Sequence, residues 1–128
     1  MMWVAVAAGG ALGSVARHGV NVLLTRATGQ AMPWATAIVN IAGSALIGLL
    51  AGMIASGRWS PQNTLRVFVF VGLLGGFTTF SSLALDTLTL SRESRPGMAA
   101  LNICVQIALG LLLAFIGYRL GLGKVPPA

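Results

Sequence analysis

Residues 71–82 read Val-Gly-Leu-Leu-Gly-Gly-Phe-Thr-Thr-Phe-Ser-Ser, with four hydroxyl side chains and two aromatic rings gathered just after a glycine pair. Each of these groups has something to offer an ion. A helix interrupted at Gly75-Gly76 frees backbone carbonyls, whose oxygens suit a hard, sodium-like cation. Phenylalanine rings are negative on the face and positive at the edge, so Phe80 beside Thr79, Ser81 and Ser82 would give an anion ring edges and hydroxyl donors. The stretch sits inside an apolar run, where no water satisfies polar groups, and each glycine costs a helix about 1 kcal/mol relative to alanine. Two readings stand at this point: an ion site, or a packing kink of the kind that glycine pairs and Ser/Thr produce. Phe77 and Phe80 taken alone read more readily as core packing.

Four further polar residues lie within apolar stretches. The NH2 group of Asn40 is an anion donor, or else a helix–helix hydrogen-bond partner; unpaired in hydrocarbon it would cost several kcal/mol. Gln106 is a polar wall with the same alternative. Arg17 either draws anions into a vestibule or snorkels to lipid headgroups. Asp86 is the only acid within an apolar run, and such residues are functional candidates by default; pairing with an arginine near the interface is the other possibility.

Enzyme chemistry finds little to work with. His18 is the only histidine, the two acids Asp86 and Glu93 stand seven positions apart, and no nucleophile–base pair is visible. Cys104 is the only cysteine, which excludes an internal disulfide and a thiolate cluster.

These groups need helices in a bilayer to position them. Of the 128 residues, 56% are hydrophobic and 8% are charged, about a third of the usual charged fraction of a soluble domain. The uncharged runs Ala27–Gly57, Val67–Leu85 and Pro96–Tyr118 are long enough to span a membrane. Met1–Ala16 reaches span length only if Arg17 and His18 lie inside the helix. It lacks a basic leader region and reads as a first span rather than a signal peptide. The expectation is a single all-α membrane domain over residues 1–128, with spans near 2–25, 33–55, 61–91 and 97–122 and the third broken at Gly75-Gly76. Ser60-Pro61 reads as the cap and first turn of span 3, and Lys124–Ala128 as a frayed tail. The net charge of +6 lies near span ends, so it points to lipid headgroups rather than nucleic acid.

Small and polar residues recur at helical spacing. Gly9 with Gly13, and Gly48 with Gly52, are small-xxx-small faces for close helix approach. Ser14, Arg17, Asn21 and Thr25 line one face of span 1, Thr36, Asn40 and Ser44 one face of span 2, and Asn102, Gln106 and Gly110 one face of span 4. Such stripes need something other than acyl chains to face. With four spans, Arg58, Arg66, Arg119 and Lys124 share one side, and Arg17, Arg26, Arg92 and Arg95 the other, four against four. Orientation follows a Lys/Arg imbalance, and none exists, so insertion both ways up is expected. A homodimer about a two-fold axis in the membrane plane would then be antiparallel, and broken helices meeting at the midplane of such an inverted pair are one way of building ion sites.

At Gly75-Gly76-Phe77-Thr78-Thr79-Phe80-Ser81, together with Val39-Asn40 and Arg17, the chain resembles the Fluc fluoride channels, also called the CrcB family, over essentially its whole length. That resemblance implies a dual-topology antiparallel homodimer exporting cytoplasmic fluoride passively through two pores and so conferring fluoride resistance. The location it implies is the inner (plasma) membrane of a prokaryote. It further implies that Asn40 and Phe80 line the fluoride path, that Ser81 and Ser82 continue a polar track with Thr79 and Gln106, that Arg17 is the vestibule arginine, and that a structural sodium ion is held by the Gly75 and Thr78 carbonyls of both copies. The chain departs from the pattern in three ways. Leu83 stands where a second phenylalanine is common, with Phe77 the ring available to compensate. Asp86 stands where a glutamate is common. Gly110 and Ala114 replace hydroxyl residues of span 4. The runner-up class is a small four-span multidrug exporter coupled to protons. That class needs a carboxylate deep in span 1, where this chain carries Arg17 instead.

Overall fold

The computed structural model describes residues 1–29 and 33–123. Among them every regular element is helical. α1 is Met2–Thr28, α2 is Pro33–Ala55, and α6 is Pro96–Leu122. Between α2 and α6 the chain forms α3 (Asn63–Val67), a π-helical stretch (Phe68–Leu74), α4 (Gly75–Phe77) and α5 (Phe80–Arg92). Three helical stretches are long and apolar enough to cross a membrane: Trp34–Ala55, Asn63–Arg92 and Pro96–Leu122. The chain is thus a multi-pass helical membrane protein. α1 is long enough, at 27 residues, but Arg17 and His18 sit in its middle and it does not join the three.

Glycine decides how the helices pair. α2 lies along α6, and a Cβ on Gly48 or Gly52 would fall 2.0 and 2.2 Å from the Ala114 and Tyr118 carbonyl oxygens. Gly117 and Gly121 return the contact against the Ala45 and Leu49 carbonyls, at 2.4 and 2.2 Å. α1 meets the first half of the Asn63–Arg92 stretch in the same way: a Cβ on Gly9 would lie 2.5 Å from Phe68 O, and one on Gly13 would fall against Leu73 O. Small residues at both seams let dispersion contacts replace the hydrophobic effect, which lipid removes. The far end of the α2–α6 pair is closed by hydrogen bonds. Ser56 Oγ donates to Gly121 O at 3.1 Å, and Arg58 Nη1 donates to Leu120 O and Gly121 O at 3.3 and 3.2 Å. Trp59 stacks on Phe70, with ring centroids 6.4 Å apart.

Three boundaries differ from the sequence expectation. The helix break falls at Thr78-Thr79, both extended (φ/ψ −84/157 and −157/119), and not at Gly75-Gly76. Gly75 is ordinary right-handed helix (φ −65, ψ −37). The third stretch begins at Asn63, after Gln62 in an extended conformation (φ −59, ψ 152), so Ser60-Pro61 precedes the helix instead of capping it. α1 runs to Thr28, where Gly29 in the left-handed region (φ 72) returns its N–H to Thr25 O; Arg26 therefore belongs to the helix. Lys124, counted in the charge tally, and the tail expected to fray lie outside the described residues.

Candidate functional site

The break is a junction between two helix ends. At its far side Thr79 caps α5, its hydroxyl accepting from the Ser82 N–H at 3.1 Å. At its near side Thr78 still closes the preceding turn, with N–H and Oγ1 both donating to Leu74 O at 3.0 and 2.9 Å. In an unbroken helix the Gly75 carbonyl would accept from Thr79 N–H, and the Thr78 carbonyl from Ser82 N–H. Both donors are engaged elsewhere: Thr79 N–H bonds Asn40 Oδ1 at 2.8 Å, and Ser82 N–H bonds the Thr79 hydroxyl. Gly75 and Thr78 are therefore left with carbonyls that lack their helical partners. Among the described residues no three His, Cys, Asp or Glu side chains gather as metal ligands.

Asn40 reaches the break from α2. Its Oδ1 takes the Thr79 N–H, and its Nδ2 donates to Thr79 O at 3.0 Å and to Gln106 Oε1 at 2.7 Å. Gln106 Nε2 donates to Asn102 Oδ1 at 2.9 Å, and Asn102 Nδ2 to Thr87 Oγ1 at 3.2 Å. Thr87 Oγ1 donates to the Leu83 carbonyl at 2.8 Å. A continuous chain of side chains thus ties α2, α5 and α6 together beside the break, and Asn102 and Gln106 are 1% and 5% exposed. Hydroxyls cluster on the other side of Thr79, whose Oγ1 lies 3.0 Å from Ser81 Oγ and donates to Ser82 Oγ at 3.2 Å.

A cavity of about 460 Å³ opens here, lined by Asn40, Ser44, Gly75, Thr78, Thr79, Phe80, Leu83, Gln106 and Gly110 among others. A second, of about 450 Å³, lies along α5 and α6 and shares Phe80, Leu83 and Ile107 with it. Phe80 is 78% exposed in the single chain. Gly75 and Val71, before the break, are exposed as well.

The sequence matches a known family. The CrcB-like protein, Camphor Resistance (CrcB) family covers residues 4–118. The chain belongs to the CrcB-like family. It is 48% identical over 116 residues to a fluoride-specific ion channel FluC of Thermus thermophilus, covering 91% of both chains. It is 46% identical over 119 residues to the protein of that name from Rhodospirillum centenum, covering 93% of this chain and 94% of the other. To that of Agrobacterium fabrum it is 43% identical over 116 residues, covering 91% and 92%. These relatives are named as channels, not as enzymes.

The CrcB-like chain brings Asn40, Thr79, Phe80 and Gln106 to one cavity, with Ser81 and Ser82 hydrogen-bonded to Thr79 at its edge. Arg17 stands apart on α1, half-buried, without an ion pair among the described residues. Asp86 has one buried carboxylate oxygen, Oδ2, with no hydrogen-bond partner among the described residues. Phe77 does not stand in for a second ring beside Phe80. It packs by Gly43 of α2, whose Cβ would lie 3.4 Å from Phe77 Cδ1, and it lines neither cavity. Leu83 occupies that place, 6% exposed. Sequence reasoning passed over three participants as site residues: Ser44, Asn102 and Thr87. The signal was the four-residue spacing Asn40/Ser44, Asn102/Gln106 and Leu83/Thr87, which stacks each pair on one helix face. Ser44 stands next to Gly110: a Cβ there would lie 3.4 Å from the Ser44 hydroxyl, which lines the same cavity.

Proposed function

We propose that this protein is a fluoride channel, giving passive export of cytoplasmic fluoride and hence fluoride resistance. The observation that carries the reading is the break at Thr78-Thr79, which sets a ring, a hydroxyl cluster and an amide around one cavity inside a membrane-spanning stretch. Relatives that cover nine-tenths of the chain and are named fluoride-specific channels support it. The start of α5 adds a helix N-terminus, whose backbone N–H groups favour anions. Among the described residues no fixed positive charge lines the cavity, so an anion would be held weakly enough to leave again. In acidic surroundings fluoride crosses the lipid into the cell as the neutral acid, ionises inside and is trapped. An open path lets it leave with the negative-inside potential, worth about 2.3 kcal/mol per charge per 100 mV.

The working unit of the proposal is an antiparallel homodimer of four-span subunits in the inner membrane of a prokaryote. α1 crosses with the rest: Gly9 and Gly13 pack against Phe68–Phe77, within the first half of a 30-residue membrane stretch, which holds α1 alongside that half in the bilayer. The face bearing Gly75 and Phe80 cannot be left to lipid, because partnerless carbonyls have no hydrogen-bond donor there; an inverted second copy supplies a surface of the same kind. The donor set fits a sodium ion, for the Gly75 and Thr78 carbonyls are among the four that the break deprives of helical partners. Bound by these oxygens from both copies, sodium would neutralise two helix C-terminal ends and tie the subunits together. The drug-exporter alternative has no observation in its favour, since residues 2–28 contain no acid.

Purified protein in liposomes loaded with fluoride tests the proposal. Rapid efflux of fluoride but not chloride is the expected result. Proton-coupled uptake of a cationic drug, or no flux at all, would overturn it.

A further inference from the structure

The direction of every hydrogen bond beside the break follows from one backbone group. A backbone N–H can only donate, so the Asn40 side that faces Thr79 N–H must be the oxygen. The NH2 group then has two acceptors, Thr79 O and Gln106 Oε1, for its two hydrogens. Because Gln106 gives its oxygen to Asn40, its NH2 group is turned to Asn102 Oδ1 and spends one hydrogen there. The second hydrogen of Gln106 has no acceptor among the described residues. Asn40 and Gln106 line the same cavity, yet only one of them has a hydrogen to give.

We infer that Asn40 is a positioning residue that holds the break open, and that the amide hydrogen offered to an anion in this cavity belongs to Gln106. Asn40 pairs with Thr79 as a residue of a neighbouring strand would, exchanging both an N–H and a C=O contact. In this way it supplies the partners that Thr79 gives up by leaving the helix. Releasing an Asn40 hydrogen to an ion would strand either Thr79 O or Gln106 Oε1 away from water, whereas the spare Gln106 hydrogen is given at no such loss. Gln106 in turn keeps Asn40 the right way round, because an amide flipped at Asn40 would set N–H against N–H at Thr79. The role of Asn40 stands on the hydrogen bonds alone; the role of Gln106 rests on the channel reading above.

The full-length wild-type protein in lipid nanodiscs, labelled with 15N on side-chain amides, tests both parts. The chain has four Asn and three Gln, so Gln106→Met and Asn40→Ser suffice to assign the two signals. Titration with sodium fluoride, against sodium chloride as control, is expected to move the Gln106 NH2 signals at least about twofold further than those of Asn40. A larger shift at Asn40, or no shift at either while wild-type liposomes still release fluoride, overturns the assignment to Gln106 and leaves the channel standing. Absence of fluoride release from wild-type liposomes instead removes the channel reading, and the ligand role of Gln106 with it. Hydrogen exchange tests the positioning role separately. In Asn40→Ser the Thr79 amide should lose protection by about tenfold, while the Thr78 amide, bonded to Leu74 O, keeps its own. Equal change at both amides, or at neither, overturns the positioning role.

Discussion

Gly76 of α4 and Gly10 of α1 meet backbone to backbone: a Cβ on Gly76 would lie 2.6 Å from the Gly10 carbonyl oxygen. The contact is one-sided, because a Cβ on Gly10 would meet nothing within 4 Å. Gly76→Ala should therefore force α1 off the broken helix, at about 1–3 kcal/mol for overpacking. Gly10→Ala, in the same contact, should leave stability within about 0.5 kcal/mol of wild type or raise it slightly, since alanine favours helix. Thermal unfolding in detergent compares the two. Equal losses would mean that the α1 seam is not packed as described.

The same glycine explains what was and was not legible in the sequence. The helices, the glycine seams and the cluster around residues 75–82 could all be read from periodicity and composition, because lipid forces helices and small residues mark close approach. The place of the break could not. A glycine pair is equally good for bending a helix and for letting another backbone in, and only the neighbour decides; here Gly10 took Gly76 for packing. The break moved to Thr78-Thr79 because Asn40 is there to pair the freed Thr79 groups. That partner is 39 residues away in sequence, beyond any local pattern. Phe77 shows the same limit, its ring drawn to Gly43 on α2 rather than to Phe80.

Arg58 links packing to orientation. It caps the end of α6 through the Leu120 and Gly121 carbonyls, and it is one of the four cations expected on its side of the membrane. Arg58→Ala would leave three against four and should shift insertion toward one orientation, with about 1 kcal/mol lost at the cap. Reporter fusions at the C-terminus, one active only in the cytoplasm and one only outside it, give the ratio. An unchanged ratio would argue against charge balance as the determinant of orientation.

Phe80 faces both cavities and is largely uncovered in the single chain. Phe80→Ile keeps an apolar side chain of useful size and removes the positive ring edge. Aromatic edge contacts contribute about 0.5–1.5 kcal/mol, so fluoride flux should fall up to about tenfold with the protein still folded. Wild-type flux, followed with a fluoride electrode, would place the ring outside the path.

Cation exchange probes the carbonyls of Gly75 and Thr78. Replacing sodium on both faces of the liposome by a bulky organic cation should abolish efflux, and sodium should restore it. Oxygen ligands held by two helix ends admit a small hard cation and exclude a large one. Full flux in the absence of sodium would mean that these carbonyls are satisfied by water or by the partner copy alone.

Asn40→Asp changes two things at once, and a second variant separates them. An ionised carboxylate can still accept from Thr79 N–H, but it cannot donate to Thr79 O or to Gln106 Oε1, where Asn40 Nδ2 now donates at 3.0 and 2.7 Å. It also sets a negative charge on the cavity wall. At about 4 Å and an effective dielectric of about 20, repulsion of an anion is about 4 kcal/mol, so flux should fall by at least about a hundredfold. Asn40→Ser loses the donors without adding charge, so its flux should lie between wild type and Asn40→Asp. Were the two variants equally slow, the loss would come from a collapsed break and not from charge on the path, and Asn40 would matter to the channel only through Thr79.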